Sequence, residues 1–254
     1  MITNKKSIKE QFDVDGYVAL YSFFGVNKIQ EIKNEIDRYI AEIAPTLPNY
    51  HIFYEDKSDK STIKNLQQMF TYDNYFKELI EESLIQEIAS SVLGEKAVPK
   101  NLQYFNKPAG VGKPTPPHQD GYYFMLKKHN AVTCWLALEK VDEENGCIHY
   151  VKGSHLHDEY RPHGKSNILG FSQGVTDFGT ENDKINTVSF PGEAGTFLIH
   201  NTRTIHWAEG NKSKTRTRKA LGFIYYGESA EEDKEAHDAY QEKLRKELEE
   251  KNLI

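Results

Sequence analysis

From about residue 97 the chain breaks into short runs of β-branched and aromatic residues: VPKNLQYFN, HQDGYYFML, AVTCWLAL, CIHYV, INTVSF, GTFLIH and RKALGFIYYG. Gly, Pro, Asn or Asp separates each run from the next. Many short strands with turn signals between them, and no helical period separating them, favour a sandwich or jelly roll over alternating βαβ units.

The first hundred residues read differently. Residues 26–44 place Ile29, Ile32, Ile36, Ile40 and Ile43 at helical spacing among charged positions, which predicts a surface helix with one buried stripe. Residues 75–93 repeat the pattern with Leu79, Ile80, Leu84, Ile88 and Val92 inside, and Gly94 is placed to stop the helix. The charged tail, residues 229–254, carries Ala236, Tyr240, Leu244 and Leu248 every four residues and predicts a third helix with a narrow apolar stripe. That stripe docks on the body of the same chain or forms a contact with a second copy, so both a monomer and a homodimer stay open. No Pro, Gly or Ser-rich linker separates these parts, so 1–254 reads as one domain: a helical part over about 1–95, a β core over about 96–228 and a C-terminal helix over about 229–254.

Composition narrows the function. The 254 residues carry 32 Lys plus Arg against 38 Asp plus Glu, a formal net charge of -6, which argues against nucleic acid as a partner. No window approaches the roughly 18–20 apolar residues that a bilayer span needs, and the N-terminus MITNKKSIKEQFDVDG has no apolar signal region, so no membrane and a cytoplasmic location are expected. Two cysteines, Cys134 and Cys147, cannot make a disulfide framework and read as buried thiols. The 15 Tyr and 13 Phe gather around histidines in the middle and late chain, a distribution that suits a lined pocket for a small molecule.

The candidate chemistry begins at Pro116–Phe124, PPHQDGYYF. His118 and Asp120 are two apart, so on a strand their side chains leave from one face. Far downstream, GTFLIHNTRTIHWAEGNKS offers both His200 and His206. Two imidazoles and a carboxylate on one face match the arrangement that holds ferrous iron with positions left open. With 10 His in the chain a chance H-x-D is unremarkable, so the pattern needs further support.

That support is an ordered set of motifs: H-Q-D at 118–120, W-x-A-L from Trp135, E-N-G-C ending at Cys147, G-S-H ending at His155, H-x4-N-K-S from His206 and R-K-A from Arg218. Together they resemble the phytanoyl-CoA dioxygenase family of Fe(II)- and 2-oxoglutarate-dependent oxygenases, over roughly Ile63 to Gly227. The resemblance implies a double-stranded β-helix (jelly roll, cupin-like) core, and Fe(II), 2-oxoglutarate and O2 as cofactor and cosubstrates. It implies hydroxylation of a small organic substrate with release of succinate and CO2, and no catalytic residue beyond the metal centre. The alternative is a jelly-roll protein that binds a metal without 2-oxoglutarate.

Residue by residue, the resemblance makes His118, Asp120 and His206 the metal ligands, with His200 a supporting residue because N-K-S and R-K-A follow His206 at the family's spacing. Arg218 matches the arginine that pairs with the far carboxylate of 2-oxoglutarate, a task suited to a permanently charged fork. Alternation leaves Arg216 on the same face as Arg218, and only spacing prefers Arg218; Lys219 falls on the other face. Trp135, Lys64, Gln103 and Gln119 match further cosubstrate contacts, whereas Ala208 stands where some relatives carry a hydroxyl. Because related halogenases replace the carboxylate with a small residue, Asp120 implies oxygen transfer.

Candidate substrate-side residues are Tyr104, Tyr122, Tyr123, Phe124, Arg161 and His163, the last two in a long loop over 155–185 that also holds His155 and reads as a lid. In that reading Arg161 meets an anionic group of the substrate.

Overall fold

The structure is a computed structural model that describes residues 5–81, 83–168 and 171–251. Its frame is a seven-stranded antiparallel sheet facing a smaller four-stranded one, the jelly roll expected from the strand texture. The large sheet runs, in spatial order, Tyr17–Leu20, Phe197–Asn201, Ala131–Ala137, Arg218–Gly227, Ala97–Lys107, Ile63–Leu66 and Ile52–Tyr54. The small sheet runs Thr187–Phe190, Ile148–Val151, His206–Ala208 and Thr115–His118.

Alternation along the large sheet divides its two faces. Cys134, Leu136, Leu221, Phe223, Tyr225, Phe197 and Ile199 face the helices, where they are buried with Ile29, Ile32, Ile36, Tyr39, Phe76 and Ile88. Trp135, Ala137, Ala220 and Leu198 face the barrel interior with Tyr150, Ile148 and Phe190 of the small sheet. Each fully buried Ile, Leu or Phe contributes roughly 1.5–3 kcal/mol, so the helical layer stabilises the sheet from behind and leaves the inner face for polar work.

Several expectations need correction. The helical part supplies three strands to the large sheet, Tyr17–Leu20, Ile52–Tyr54 and Ile63–Leu66, because short apolar runs at a sheet edge satisfy their backbone by pairing. Helix Val26–Glu42 buries Ile29, Ile32, Ile36 and Tyr39, while Ile40 and Ile43 are half-buried. The segment 75–93 forms two helices, Asn74–Ile80 and Leu84–Leu93, the second restarted by the Ser83 hydroxyl accepting from Gln86 N–H. That restart shifts the helical phase, so Ile85 is buried and Leu84 is exposed. Gly94 ends this helix with φ 75°, as its placement predicts.

HQDGYYFML is not one strand. The strand stops at His118, and Gly121–Phe124 forms a helical turn, because Asp120 takes helical dihedrals and its carbonyl accepts from Tyr123 N–H. The expected long loop contains a hairpin, His163–Ile168 with Phe171–Val175, and a short helix, Glu181–Ile185, started by a Thr180–Asp183 capping box. The tail is helical over Lys234–Glu250 with no residue fully buried, and residues 252–254 of the expected helix lie outside the described residues. Both cysteines are buried free thiols.

Candidate metal centre

The middle of the small sheet sets the centre. Strand His206–Ala208 pairs on one side with Thr115–His118, placing His206 opposite His118, and on the other with Ile148–Val151, placing His206 opposite Tyr150. The rings of His118 and His206 lie 4.1 Å apart between centroids. Each ring is fixed through Nδ1, which donates to a backbone carbonyl two residues earlier: Pro116 at 2.8 Å for His118 and Thr204 at 3.0 Å for His206. With Nδ1 carrying the proton, Nε2 is the nitrogen of each ring that presents a lone pair toward a metal.

Asp120 arrives from the helical turn, so it meets the histidines by tertiary placement and not by strand alternation. Its Oδ1 is 3.3 Å from His118 Nε2 and 3.6 Å from His206 Nε2. Its Oδ2 is turned the other way, accepting from Thr133 Oγ1 at 2.6 Å and from His200 Nε2 at 3.1 Å. Tyr150 hydroxyl donates to His200 Nδ1 at 2.9 Å and completes the chain. Burial alone would raise the Asp120 carboxyl, yet the surrounding imidazoles of His206, His118 and His200 hold it well below the ordinary carboxylate range. Burial, with the imidazoles of His118 and His200 nearby, pushes His206 well down, so it favours the neutral ring that a cation needs. The ligand atoms of His118, Asp120 and His206 lie within 4.8 Å of one another, and this donor set suits ferrous iron with open positions.

The second feature is a buried cation with no anionic partner among the described residues. Arg218 opens its strand opposite Lys107 and is 5% exposed. Its guanidinium lies 5.6 Å from the Trp135 ring, and its Nε is buried with no hydrogen-bond partner. Burial pushes Arg218 down to about 10. Lys64 and Lys107 are also buried and shifted down, first by burial and then by neighbouring cations that include Arg218. Lys64 Nζ is 3.4 Å from Glu55. A buried, unpaired guanidinium beside two lysines calls for an anion, and a dicarboxylate meets that need. Arg216, the rival left open by alternation, is held at the surface by Asp142 at 2.8 Å and by Glu144.

The remaining candidates fall into two groups. Gln103 lies across Gly222 from Trp135, and its Oε1 accepts from Asn65 at 3.4 Å. Tyr123 has its ring 6.1 Å from His118, and its hydroxyl donates to Gln173 carbonyl. His163 stacks on Tyr122 at 4.1 Å, and Gln119 N–H donates to its Nε2 at 3.4 Å.

Others are committed elsewhere. Tyr104 is buried in the helix-facing core, because Gln103 and Phe105 take the inward positions and alternation sends it outward. Phe124 packs on Tyr226 in a separate small cluster. The Gln119 amide accepts from Arg161 N–H at 2.9 Å and donates to Arg203 carbonyl at 2.6 Å, so it braces two loops and does not reach across the site. Arg161 is bound by Asp177 at 2.9 Å and Asp183 at 3.0 Å, which spends its fork within the loop. His155 is buried, with Nε2 donating to Asp13 carbonyl at 3.1 Å, and belongs to the packing rather than to a lid. Sequence reasoning missed Thr133 and Tyr150; inward placement on strands beside the histidines was the available signal.

An antiparallel jelly roll carrying two histidines and an aspartate on its inner face forms a candidate mononuclear metal centre. The chain belongs to the phytanoyl-CoA dioxygenase (PhyH) family, whose pattern matches residues 12–220. It is 26% identical over 227 residues to the peroxisomal phytanoyl-CoA dioxygenase of Bos taurus, covering 83% of this chain and 65% of that one. It is 23% identical over 211 residues to a probable alpha-ketoglutarate-dependent hypophosphite dioxygenase of Stutzerimonas stutzeri, covering 81% and 73%. The fold is similar to that of the epimerase SnoN in complex with Fe3+, alpha ketoglutarate and nogalamycin RO, with a TM-score of 0.71, 20% identity, and coverage of 89% and 84%. No helix among the described residues is long and apolar enough to cross a membrane.

Proposed function

We propose that this protein is an Fe(II)- and 2-oxoglutarate-dependent dioxygenase that hydroxylates a small organic substrate, releasing succinate and CO2. The observation that carries the reading is Arg218: a buried guanidinium without a counter-ion among the described residues, against Trp135, in the barrel that holds His118, Asp120 and His206. The family membership supports the same reading, and SnoN, of like fold, binds both iron and alpha ketoglutarate.

In this reading His118, Asp120 and His206 hold Fe(II), while Arg218 and Lys64 take the far carboxylate of 2-oxoglutarate. Bound there, Fe(II) supplies the meeting point of 2-oxoglutarate and O2 at which oxidative decarboxylation drives oxidation of the substrate. The protein's part is orientation and exclusion of water. Trp135 and Gln103 wall the cosubstrate, and the apolar side chains of Ile148, Phe190 and Leu198 on the inner faces help keep the site dry. His200 and Thr133 hold Asp120 Oδ2 so that Oδ1 presents to the metal. The intact Asp120 favours oxygen transfer over halogenation. Tyr122, Tyr123 and His163 form the substrate side. The relatives' names span an acyl thioester and hypophosphite, so no one substrate is carried over. We place the protein in the cytoplasm, as a monomer or homodimer; its Bos taurus relative is named peroxisomal.

The test is anaerobic titration of the iron-loaded protein with 2-oxoglutarate. A weak visible charge-transfer band should appear and be absent in His206→Ala and Arg218→Ala. Iron binding without any band would overturn the reading in favour of a metal protein that does not use 2-oxoglutarate.

A further inference from the structure

A second set of donors gathers around His149, which lies on the reverse side of the small sheet. Tyr150 and His206 point inward to the metal centre, so His149 and Trp207, their strand neighbours, point outward. There the His149 ring stacks on Trp207 at 5.1 Å with 13° between planes, and Phe178 closes over Trp207 at 4.8 Å. Ser189 Oγ, opposite on the next strand, lies 3.0 Å from His149 Nδ1 and fixes the ring's rotation. His149 is only 8% exposed, yet its Nε2 is buried without a hydrogen-bond partner. A buried ring nitrogen left unpaired is costly, and it marks where a ligand atom is absent.

Glu143 and Cys147 lie close to that ring, Cys147 being buried in the barrel-facing cluster with Trp135 and Ala220. Atoms of Glu143, Cys147 and His149 that can bind a metal are within 4.8 Å of one another, with Glu143 Oε2 3.6 Å from His149 Nε2. The loop is built to hold them. Asn145 Oδ1 accepts from Asp142 N–H at 2.8 Å, and the Asn145 amide donates to the carbonyls of Lys140 and Thr217 at 2.9 and 3.1 Å. Gly146, at φ 89°, permits a close approach in which a Cβ would sit 2.5 Å from Glu209 carbonyl. Arg216 pairs with Asp142 and Glu144, the acids on either side, and leaves Glu143 free to turn toward Cys147.

We propose that Glu143, Cys147 and His149 form a second metal site, distinct from the iron centre, that takes a thiophilic divalent cation such as zinc. Thiolate sulfur, imidazole nitrogen and carboxylate oxygen are the three donor types zinc accepts, at about 2.0–2.3 Å each, with water as the fourth ligand. Those bond lengths place ligand atoms about 3.4–3.8 Å apart, so the cluster needs only to contract slightly. Ser189 accepts the Nδ1 proton and directs the Nε2 lone pair to the cation. Cys147 binds a cation as the thiolate, so metal uptake releases its proton.

The experiment is anaerobic titration of the metal-free full chain with Co(II), followed by near-ultraviolet absorption. Wild type should take up a second equivalent and show a thiolate-to-cobalt charge-transfer band that zinc displaces. The band should persist in His206→Ala, which separates this site from the iron centre, and vanish in Cys147→Ser. Glu143, 61% exposed at its side chain, is replaced without loss of packing. Glu143→Gln should therefore fold normally and weaken the second Co(II) by about tenfold or more, which keeps the test decisive if Cys147→Ser fails to fold. A wild type without the thiolate band, or a band unchanged in both Glu143→Gln and His149→Ala, overturns the proposal.

Discussion

His200 Nε2 donates to Asp120 Oδ2 across 3.1 Å, joining two residues 80 positions apart. Thr133 takes the same oxygen, so both hydrogen bonds fall on the side of the carboxylate away from His118 and His206. The bond makes His200 a positioning residue. In His200→Ala, Asp120 keeps Thr133 but loses its second anchor, and Fe(II) affinity should fall about 10- to 100-fold. His206→Ala should abolish tight iron binding. Metal titration with a competing chelator separates the two; equal losses would make His200 a ligand in its own right.

Arg218 should trade stability for cosubstrate binding. A buried cation without an anion destabilises the empty protein, so Arg218→Met should raise the thermal midpoint measured without 2-oxoglutarate. The same change should weaken 2-oxoglutarate by roughly 2–5 kcal/mol, seen as a higher KM for the cosubstrate. A variant that is both less stable and equally active would remove Arg218 from the site.

The pH dependence of stability follows from the histidines. His206 is shifted well below its ordinary value of 6.5 by burial, and His155 and His163 are shifted down by the same cause. Below 6.5 the unfolded chain binds more protons than the folded one, so stability is complete above that pH and is lost as pH falls through it. Urea midpoints of the metal-free protein should drop between pH 7.5 and pH 5.5. Iron-loaded protein should drop further, because protonation also expels the metal.

Arg161 should matter to the hairpin before it matters to the substrate. Asp183 is buried, and Arg161→Ala leaves its carboxylate the backbone N–H groups of Gly179 and Thr180. The expected cost is about 1–3 kcal/mol, read as faster proteolysis within 163–175 and a lower thermal midpoint. Unchanged proteolysis with weaker substrate binding would return Arg161 to the substrate side.

The jelly roll was legible from strand texture because short alternating runs with turn residues have few other ways to bury their apolar faces. The metal set was legible only as residue types in motif order. His118 and Asp120 do come together in the fold, but not by the strand alternation that their spacing suggested, since a helical turn delivers Asp120. Tyr104 was misjudged because neighbouring strands look alike in sequence, and which face turns inward depends on what packs behind the sheet.

By itself the sequence determined the strand texture of the β core, the helix over Val26–Glu42 and the Gly94 stop, and it supplied the donors: local dihedral preferences, capping and periodicity act over a few residues and can be read there. Tertiary structure decided the rest. The direction of Asp120 Oδ1, the isolation of Arg218 beside Trp135 and the commitment of Arg161 to Asp177 and Asp183 depend on groups far apart in the chain. Electrostatic and hydrogen-bonding partners are set by distance in space, and only sheet register and packing bring them together.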